Sequence, residues 1–179
     1  MLPDIQLYLS DSVLLHFQLP QHELLPDTQT PLSSHWASLW RCDLIASTED
    51  GHEHLLLFTN AVTHFSLISL DRNHNFQTLL ATFHQHFILA LCEHGHPFPS
   101  NESPEIEIQL LTGNTPQLER IMDDKISLAI DHLYANDVNL DLTEHSLNKQ
   151  TSLTHPRHTS PPTKATAQIL PFTQISAKG

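Results

Sequence analysis

Residues 54–70 constrain the fold of this chain more than any other stretch, because two apolar runs flank a turn signal there. The first run covers residues 55–58, and residues 63–70 alternate apolar and polar side chains. Between the runs, Asn60 and Ala61 predict a tight turn, since asparagine tolerates the left-handed backbone conformation. The pattern predicts a β-hairpin whose first strand is buried on both faces and whose second strand is half-buried.

Further alternating segments extend this hairpin into a sheet. Residues 36–46 alternate and precede the hairpin, so they predict a three-stranded antiparallel meander. Residues 5–10 and 105–111 alternate as well and predict one further strand each. We therefore expect an antiparallel sheet of four to five strands.

Two segments have the periodicity of helices. Apolar side chains recur at helical spacing over residues 76–94. A second stripe covers residues 115–135, where Thr115 and Pro116 form a typical helix start. Together with the strands, they predict an α+β fold with the two main helices packed on one face of the sheet.

Composition changes after residue 145. Residues 146–179 are rich in Ser, Thr and Pro and contain four basic residues but no acidic one, whereas all 20 acidic residues precede them. We predict a single domain over residues 1–145 and a disordered tail over residues 146–179. An acidic domain disfavours direct binding of nucleic acid, because that binding depends on cationic side chains. We expect a soluble acidic protein. We also expect that its binding partner is another protein.

Three observations predict the cellular compartment of the protein. No run of 18 apolar residues is present, so no membrane association is expected. The first residues lack the basic start of a secretory signal. Cys42 and Cys92 are the only cysteines, and both are expected in the core as reduced thiols. These observations favour a cytoplasmic protein.

Three sequence segments resemble those of a known family. They are WASLW at residues 36–40, LLLFTNAVTHFSLI at residues 55–68 and TGNTPQLERIMDD at residues 112–124. Their order resembles a family of small uncharacterised bacterial proteins, a domain of unknown function, over about residues 5–135. In the last segment the matching positions are Thr112, Asn114, Met122 and Asp124. The resemblance implies no particular activity.

Fifteen histidines make metal binding the first chemistry to consider. His52 and His54 share one face of a strand, and His64 lies across the predicted hairpin, so these three are the candidate zinc ligands. A two-residue turn at Asn60 and Ala61 would pair His54 with Leu67, however, and would leave His64 roughly 10 Å away along the strand. We therefore expect no metal and no cofactor.

Two further groups of residues define a possible binding surface. Trp36 and Trp40 lie four apart on a predicted strand and are expected either to pack in the core or to form an exposed aromatic patch. The polar residues of the resembling segment are Thr112, Asn114, Asp123 and Asp124. Acidic residues near a helix start also complement the helix dipole, which is the structural alternative for the last two.

Known catalytic patterns are missing from the sequence. Four glycines permit no glycine-rich phosphate loop, and neither a Gly-x-Ser-x-Gly nor a His-Glu-x-x-His segment occurs. Three functions stay open, with the first favoured. They are a non-enzymatic binding or interaction module, a metal-dependent hydrolase using the hairpin histidines, and an acidic decoy for a basic surface of a nucleic-acid-handling protein.

Overall fold

The computed structural model describes residues 4–20, 35–47, 52–95, 106–112, 116–149 and 168–171. The strands are β1 (Ile5–Leu9), β2 (Leu39–Ser47), β3 (His54–Asn60), β4 (Ser66–Asp71), β5 (Ile108–Thr112) and β6 (Gln168–Pro171). The helices are α1 (Asp11–His16), α2 (Phe76–Glu93), α3 (Pro116–Ala135) and α4 (Leu140–Asn148). The predicted α+β class is confirmed, and both predicted helices are present.

The sheet is mixed rather than antiparallel. Five strands lie in the order β4–β3–β2–β1–β5, and the short β6 pairs with β5 at one edge. The meander β2–β3–β4 is antiparallel, as predicted, but β1 runs parallel to both β2 and β5. The prediction of a purely antiparallel sheet is therefore wrong. Residues 10–38 separate β1 from β2, which is enough chain for the crossover that a parallel pair requires.

Helices cover both faces of the sheet, which corrects the prediction that both main helices pack on one face. Adjacent residues of a strand point to opposite faces, and β3 is apolar at consecutive positions. Leu56 and Phe58 belong to one core with α2, whereas Leu57 belongs to a second core with α3 and α4. Because both faces of β3 are apolar, a single layer of helices would leave one of them exposed to water.

The turn after β3 is longer than the predicted two-residue turn. Thr59 pairs with Ser66, and residues 61–65 connect the two strands. The prediction that Thr59 pairs with Val62 is therefore wrong by four residues. His54 lies opposite Asp71 instead of Leu67.

Asn60 organises this turn through its side chain, whereas the left-handed backbone conformation predicted there is adopted by His64, with φ of 62°. Its Oδ1 accepts hydrogen bonds from the backbone N–H groups of Val62 and Thr63, at 2.9 and 2.8 Å, and from the Thr63 hydroxyl at 3.0 Å. Its Nδ2 donates to the Trp36 carbonyl at 2.9 Å. The buried side chain thus fixes the turn and joins it to the segment before β2.

Side chains of α4 form hydrogen bonds with the backbone of β4, the outer strand at one edge of the sheet. Asn148 accepts a hydrogen bond from the Ser66 backbone N–H at 2.8 Å and donates to the Ser66 carbonyl at 2.6 Å. Glu144 Oε2 accepts from the Ile68 backbone N–H at 2.8 Å. These groups satisfy part of the polar edge of β4, which would otherwise be available to pair with another strand.

The predicted tail begins inside an ordered element. Helix α4 continues past residue 145 to Asn148, and Leu147 in this last turn is buried. Residues Gln168–Pro171 pair with β5 as β6. Residues 150–167 and 172–179 lie outside the described residues, so disorder there stays a prediction.

Glu144 is expected to make stability depend on pH. Burial raises the pKa of Glu144 from 4.5 to about 7, opposed by the hydrogen bond from Ile68 and reinforced by Asp141 and Glu93. The folded state therefore favours the protonated carboxyl, and this contribution to stability is lost as pH rises from 4.5 through about 7. Glu144→Gln resembles the protonated form, so it should raise the free energy of unfolding by about 1–3 kcal/mol above pH 7.

Urea denaturation of Glu144→Gln and the wild type, at about pH 5 and about pH 8, checks this prediction. The gain should be present at the higher pH and small at the lower one. Glu107→Gln, which changes an exposed residue, is the matched control. Equal stabilities of Glu144→Gln and wild type at the higher pH would contradict the expected effect of burial.

Candidate metal centre

Three histidines from separate elements meet at one end of the sheet. His16 ends α1, His54 begins β3, and His74 lies in the connection between β4 and α2. One ring nitrogen from each lies within 4.8 Å of the other two. The ring centroids of His16 and His54 are 4.2 Å apart, and each lies 4.7 Å from that of His74.

The sheet topology brings these residues together. Because β1 and β2 are parallel and β3 is antiparallel to β2, α1 begins at the same end of the sheet as β3. The pairing of β3 with β4 places His54 opposite Asp71. Asp71 Oδ1 then accepts a hydrogen bond from the Asn73 backbone N–H at 3.2 Å, which bends the chain after β4. His74 follows in the left-handed conformation, with φ of 49°.

Two of the three rings are held by neighbouring polar groups. His16 Nε2 lies 3.0 Å from Asp71 Oδ2, and His54 Nδ1 lies 2.8 Å from Ser47 Oγ. Asp71 and His54 are both buried, whereas His74 is exposed. A hydrogen bond at one ring nitrogen of a metal-binding histidine fixes the orientation of the ring and directs the other nitrogen to the ion. In a metal complex, Nδ1 of His16 and Nε2 of His54 would therefore be the ligand atoms.

The distances suit a tetrahedral ion after small side-chain movements. Zinc–nitrogen bonds of 2.0–2.1 Å place two ligand nitrogens about 3.3–3.4 Å apart. The separations of up to 4.8 Å therefore need to shorten by at most about 1.5 Å. His74 is exposed and lies outside any helix or strand, so its ring can move toward the other two.

The structure does not bring His52, His54 and His64 together. His52 is exposed, and His64 lies in the turn at the far end of β3 from His54. The length of β3 alone is about 20 Å. Of the predicted ligands, only His54 belongs to the cluster, whereas His16 and His74 were not predicted.

The two tryptophans occupy different environments. Trp40 is fully buried, with edge contacts to Phe83 and Phe87 of α2 at centroid distances of 5.3 and 5.6 Å. Trp36 is half-buried in the turn before β2 and is not part of the strand. Trp40 is therefore a core residue, and the two do not form an exposed aromatic patch.

The remaining predicted residues do not converge on the histidines. Thr112 ends β5, and Asp123 and Asp124 are exposed on α3. Asn114 lies outside the described residues. A binding role for this segment stays a prediction.

The cysteines do not provide an evident nucleophile. Cys42 is buried as predicted, and burial raises the pKa of its thiol well above the ordinary value. Cys92 is exposed, which corrects its predicted place in the core. Cys92 lies on the outer side of α2 and is not part of the histidine cluster.

Comparison with known proteins identifies no relative: no family model, curated protein or solved structure matches this chain. The resemblance to a bacterial domain of unknown function therefore stays a prediction. In the described part of the chain, no helix combines the length and the apolar character that crossing a membrane requires.

Proposed function

We propose that this protein is a non-enzymatic binding module that holds a divalent transition metal ion, with zinc as the first choice, at His16, His54 and His74. The observation that carries the proposal is the convergence of three imidazoles from three separate elements. Imidazole nitrogen suits zinc and its neighbours in the first transition series, whereas calcium and magnesium require oxygen ligands.

The polar neighbours of the cluster support the same proposal. The Asp71 carboxylate beside His16 matches the carboxylate–histidine pairs that accompany metal ligands. Ser47 holds His54 in the corresponding way. A bound ion would tie α1, β3 and the β4–α2 connection together, so metal binding would stabilise the folded state by mass action.

Isothermal titration of the untagged protein with zinc chloride tests the proposal. One zinc ion per chain is expected. His74→Asn should weaken this binding by more than about 100-fold, because removing one of three ligands should cost more than the 10–100-fold typical of outer-shell partners. Asparagine tolerates the left-handed conformation at this position, so the metal-free variant should keep the thermal midpoint of the wild type.

His52→Asn is the matched control, because His52 is also exposed but lies outside the cluster. It should bind zinc as tightly as the wild type. Asp71→Asn, which removes the carboxylate beside His16, should weaken binding without abolishing it. Wild-type protein that binds no zinc, or equal losses in His74→Asn and His52→Asn, would contradict the proposed site.

A metal-dependent hydrolase is the second candidate, now with His16, His54 and His74 in place of the predicted hairpin set. Three histidine ligands with a fourth position left for water are typical of catalytic zinc, and the exposure of His74 favours access of water. The zinc-loaded samples above can be assayed with p-nitrophenyl acetate. Turnover that His74→Asn lacks would favour the hydrolase, and zinc binding without turnover would favour the binding module.

A further inference from the structure

A second feature, apart from the histidines, lies where α3 meets α4. Tyr134, Val138 and Leu142 are 81%, 61% and 53% exposed and fall within nine consecutive residues. The other exposed large apolar side chains of the described residues are distributed over α1, α2 and the middle of α3. Isolated exposed apolar residues are ordinary, whereas a local group of them indicates a contact surface. We call this group, with the acidic residues described below, the α3–α4 corner.

The backbone of the α3–α4 corner is strained in a way that presents Val138 to solvent. Asp137 and Val138 have φ values of 51° and 60°, and the Val138 N–H donates to the Leu133 carbonyl at 2.8 Å. This is the closing hydrogen bond of a helix end in which glycine usually occupies the left-handed position taken here by Asp137. A left-handed valine is rare, because its branched side chain crowds the backbone. Retained backbone strain clusters at functional sites such as ligand clamps and switch regions.

Hydrogen bonds at the start of α4 fix the other side of the strained turn. Asn139 caps α4 by accepting a hydrogen bond from the Leu142 backbone N–H at 3.0 Å. The Thr143 hydroxyl donates to the Asn139 carbonyl at 2.8 Å, and Thr143 is buried. The corner is therefore preorganised, so binding there would cost little ordering of the backbone.

The charge of the α3–α4 corner defines the chemistry of its partner. Asp131, Asp137 and Asp141 are exposed in the same stretch of the chain as the three apolar residues. Lys125 is the only lysine or arginine between residues 121 and 148, and it is buried with its Nζ donating to the Leu147 carbonyl. The nearest exposed cations along the chain, Arg120 and Lys149, lie toward the opposite ends of α3 and α4 from the corner, so no lysine or arginine of residues 121–148 offsets these carboxylates at the surface. Phosphate backbones would be repelled, whereas cationic side chains beside an apolar stripe would be attracted.

We infer that the α3–α4 corner docks a basic amphipathic helix of a partner protein. The apolar stripe of such a helix would contact Tyr134, Val138 and Leu142, and its lysine or arginine side chains would pair with the aspartates of the corner. This inference does not depend on the metal site, because none of the three histidines belongs to α3 or α4.

A labelled leucine–lysine peptide with helical periodicity is the probe, and fluorescence anisotropy in the presence of a chelator measures its binding. Val138→Asn should weaken binding by about tenfold. Asparagine tolerates the left-handed conformation better than valine, so the same variant should unfold at an equal or higher urea concentration. A loss of binding together with retained or increased stability cannot result from unfolding.

Two controls separate docking from general charge attraction. Leu89→Asn changes an exposed leucine of α2 and should leave peptide binding unchanged. A peptide of the same composition with its order scrambled, so that it lacks an apolar stripe, should bind at least about tenfold more weakly. Equal binding of the two peptides, or equal affinities of the wild type and Val138→Asn, would overturn the inference.

Discussion

Replacing Phe83 by alanine is expected to lower the free energy of unfolding by about 3–5 kcal/mol. Phe83 is fully buried in the middle of α2 and stacks on Phe58 of β3 at a centroid distance of 4.4 Å. It also contacts the edge of Trp40 in β2. Three aromatic rings from three elements meet here, so the rigid neighbours cannot collapse into the space that the variant leaves.

Urea denaturation followed by circular dichroism measures this loss. Phe83→Leu, which keeps most of the apolar volume, should lose less than half as much. Leu89→Ala removes an exposed side chain of the same helix and should change stability by less than about 0.5 kcal/mol. A Phe83→Ala midpoint equal to that of the wild type would show that α2 does not pack on the sheet through this residue.

Replacing Asn60 by alanine is expected to lower the free energy of unfolding by about 2–4 kcal/mol. Asn60 is fully buried, and its Oδ1 is the acceptor for three donors of the β3–β4 turn. Alanine would leave the buried Thr63 N–H and the Trp36 carbonyl without these partners. An unsatisfied buried polar group is more costly than the net value of the hydrogen bond that it loses.

Asn60→Asp separates the two roles of this side chain. Aspartate retains an acceptor for the turn, but at neutral pH its buried carboxylate would face the Trp36 carbonyl oxygen, so its loss should be at least as large as that of Asn60→Ala. Denaturation of wild type, Asn60→Ala and Asn60→Asp under one set of conditions provides the comparison. If Asn60→Ala were as stable as the wild type, the turn would be held by other contacts.

Local patterns in the sequence predicted much of the fold. The apolar stripe of α2 and the Thr-Pro start of α3 gave both helices close to their observed bounds. The alternation in β2 and β4 and the apolar run in β3 predicted an antiparallel meander. Asn60 was identified as a turn residue because asparagine tolerates the left-handed conformation, although in the structure it acts through side-chain hydrogen bonds. These features depend on residues that are near one another in the chain.

Features that depend on distant residues were not predictable in the same way. The burial of β1 on both faces results from its central place in the sheet, which the sequence of residues 5–9 does not encode alone. The register of β3 against β4 depends on turn length, and the observed connection over residues 61–65 places every pair four residues from the predicted register. The apolar run at residues 55–58 did indicate burial on both faces, which a second layer of helices explains.

The candidate metal centre was missed for the same reason. His16, His54 and His74 are spaced by 38 and 20 residues, so no short ligand motif marks them. Only the combination of the parallel β1–β2 pair, the observed β3–β4 register and the bend after Asp71 brings them together. With fifteen histidines in the chain, spacing alone could not select these three.

Anomalous diffraction from crystals of the zinc-loaded, untagged protein, recorded near the zinc absorption edge, tests the central claim most directly. We predict one anomalous peak between the rings of His16, His54 and His74, about 2.0–2.1 Å from one nitrogen of each. A peak bound by other histidines, or none between these three rings, would contradict the proposed metal centre.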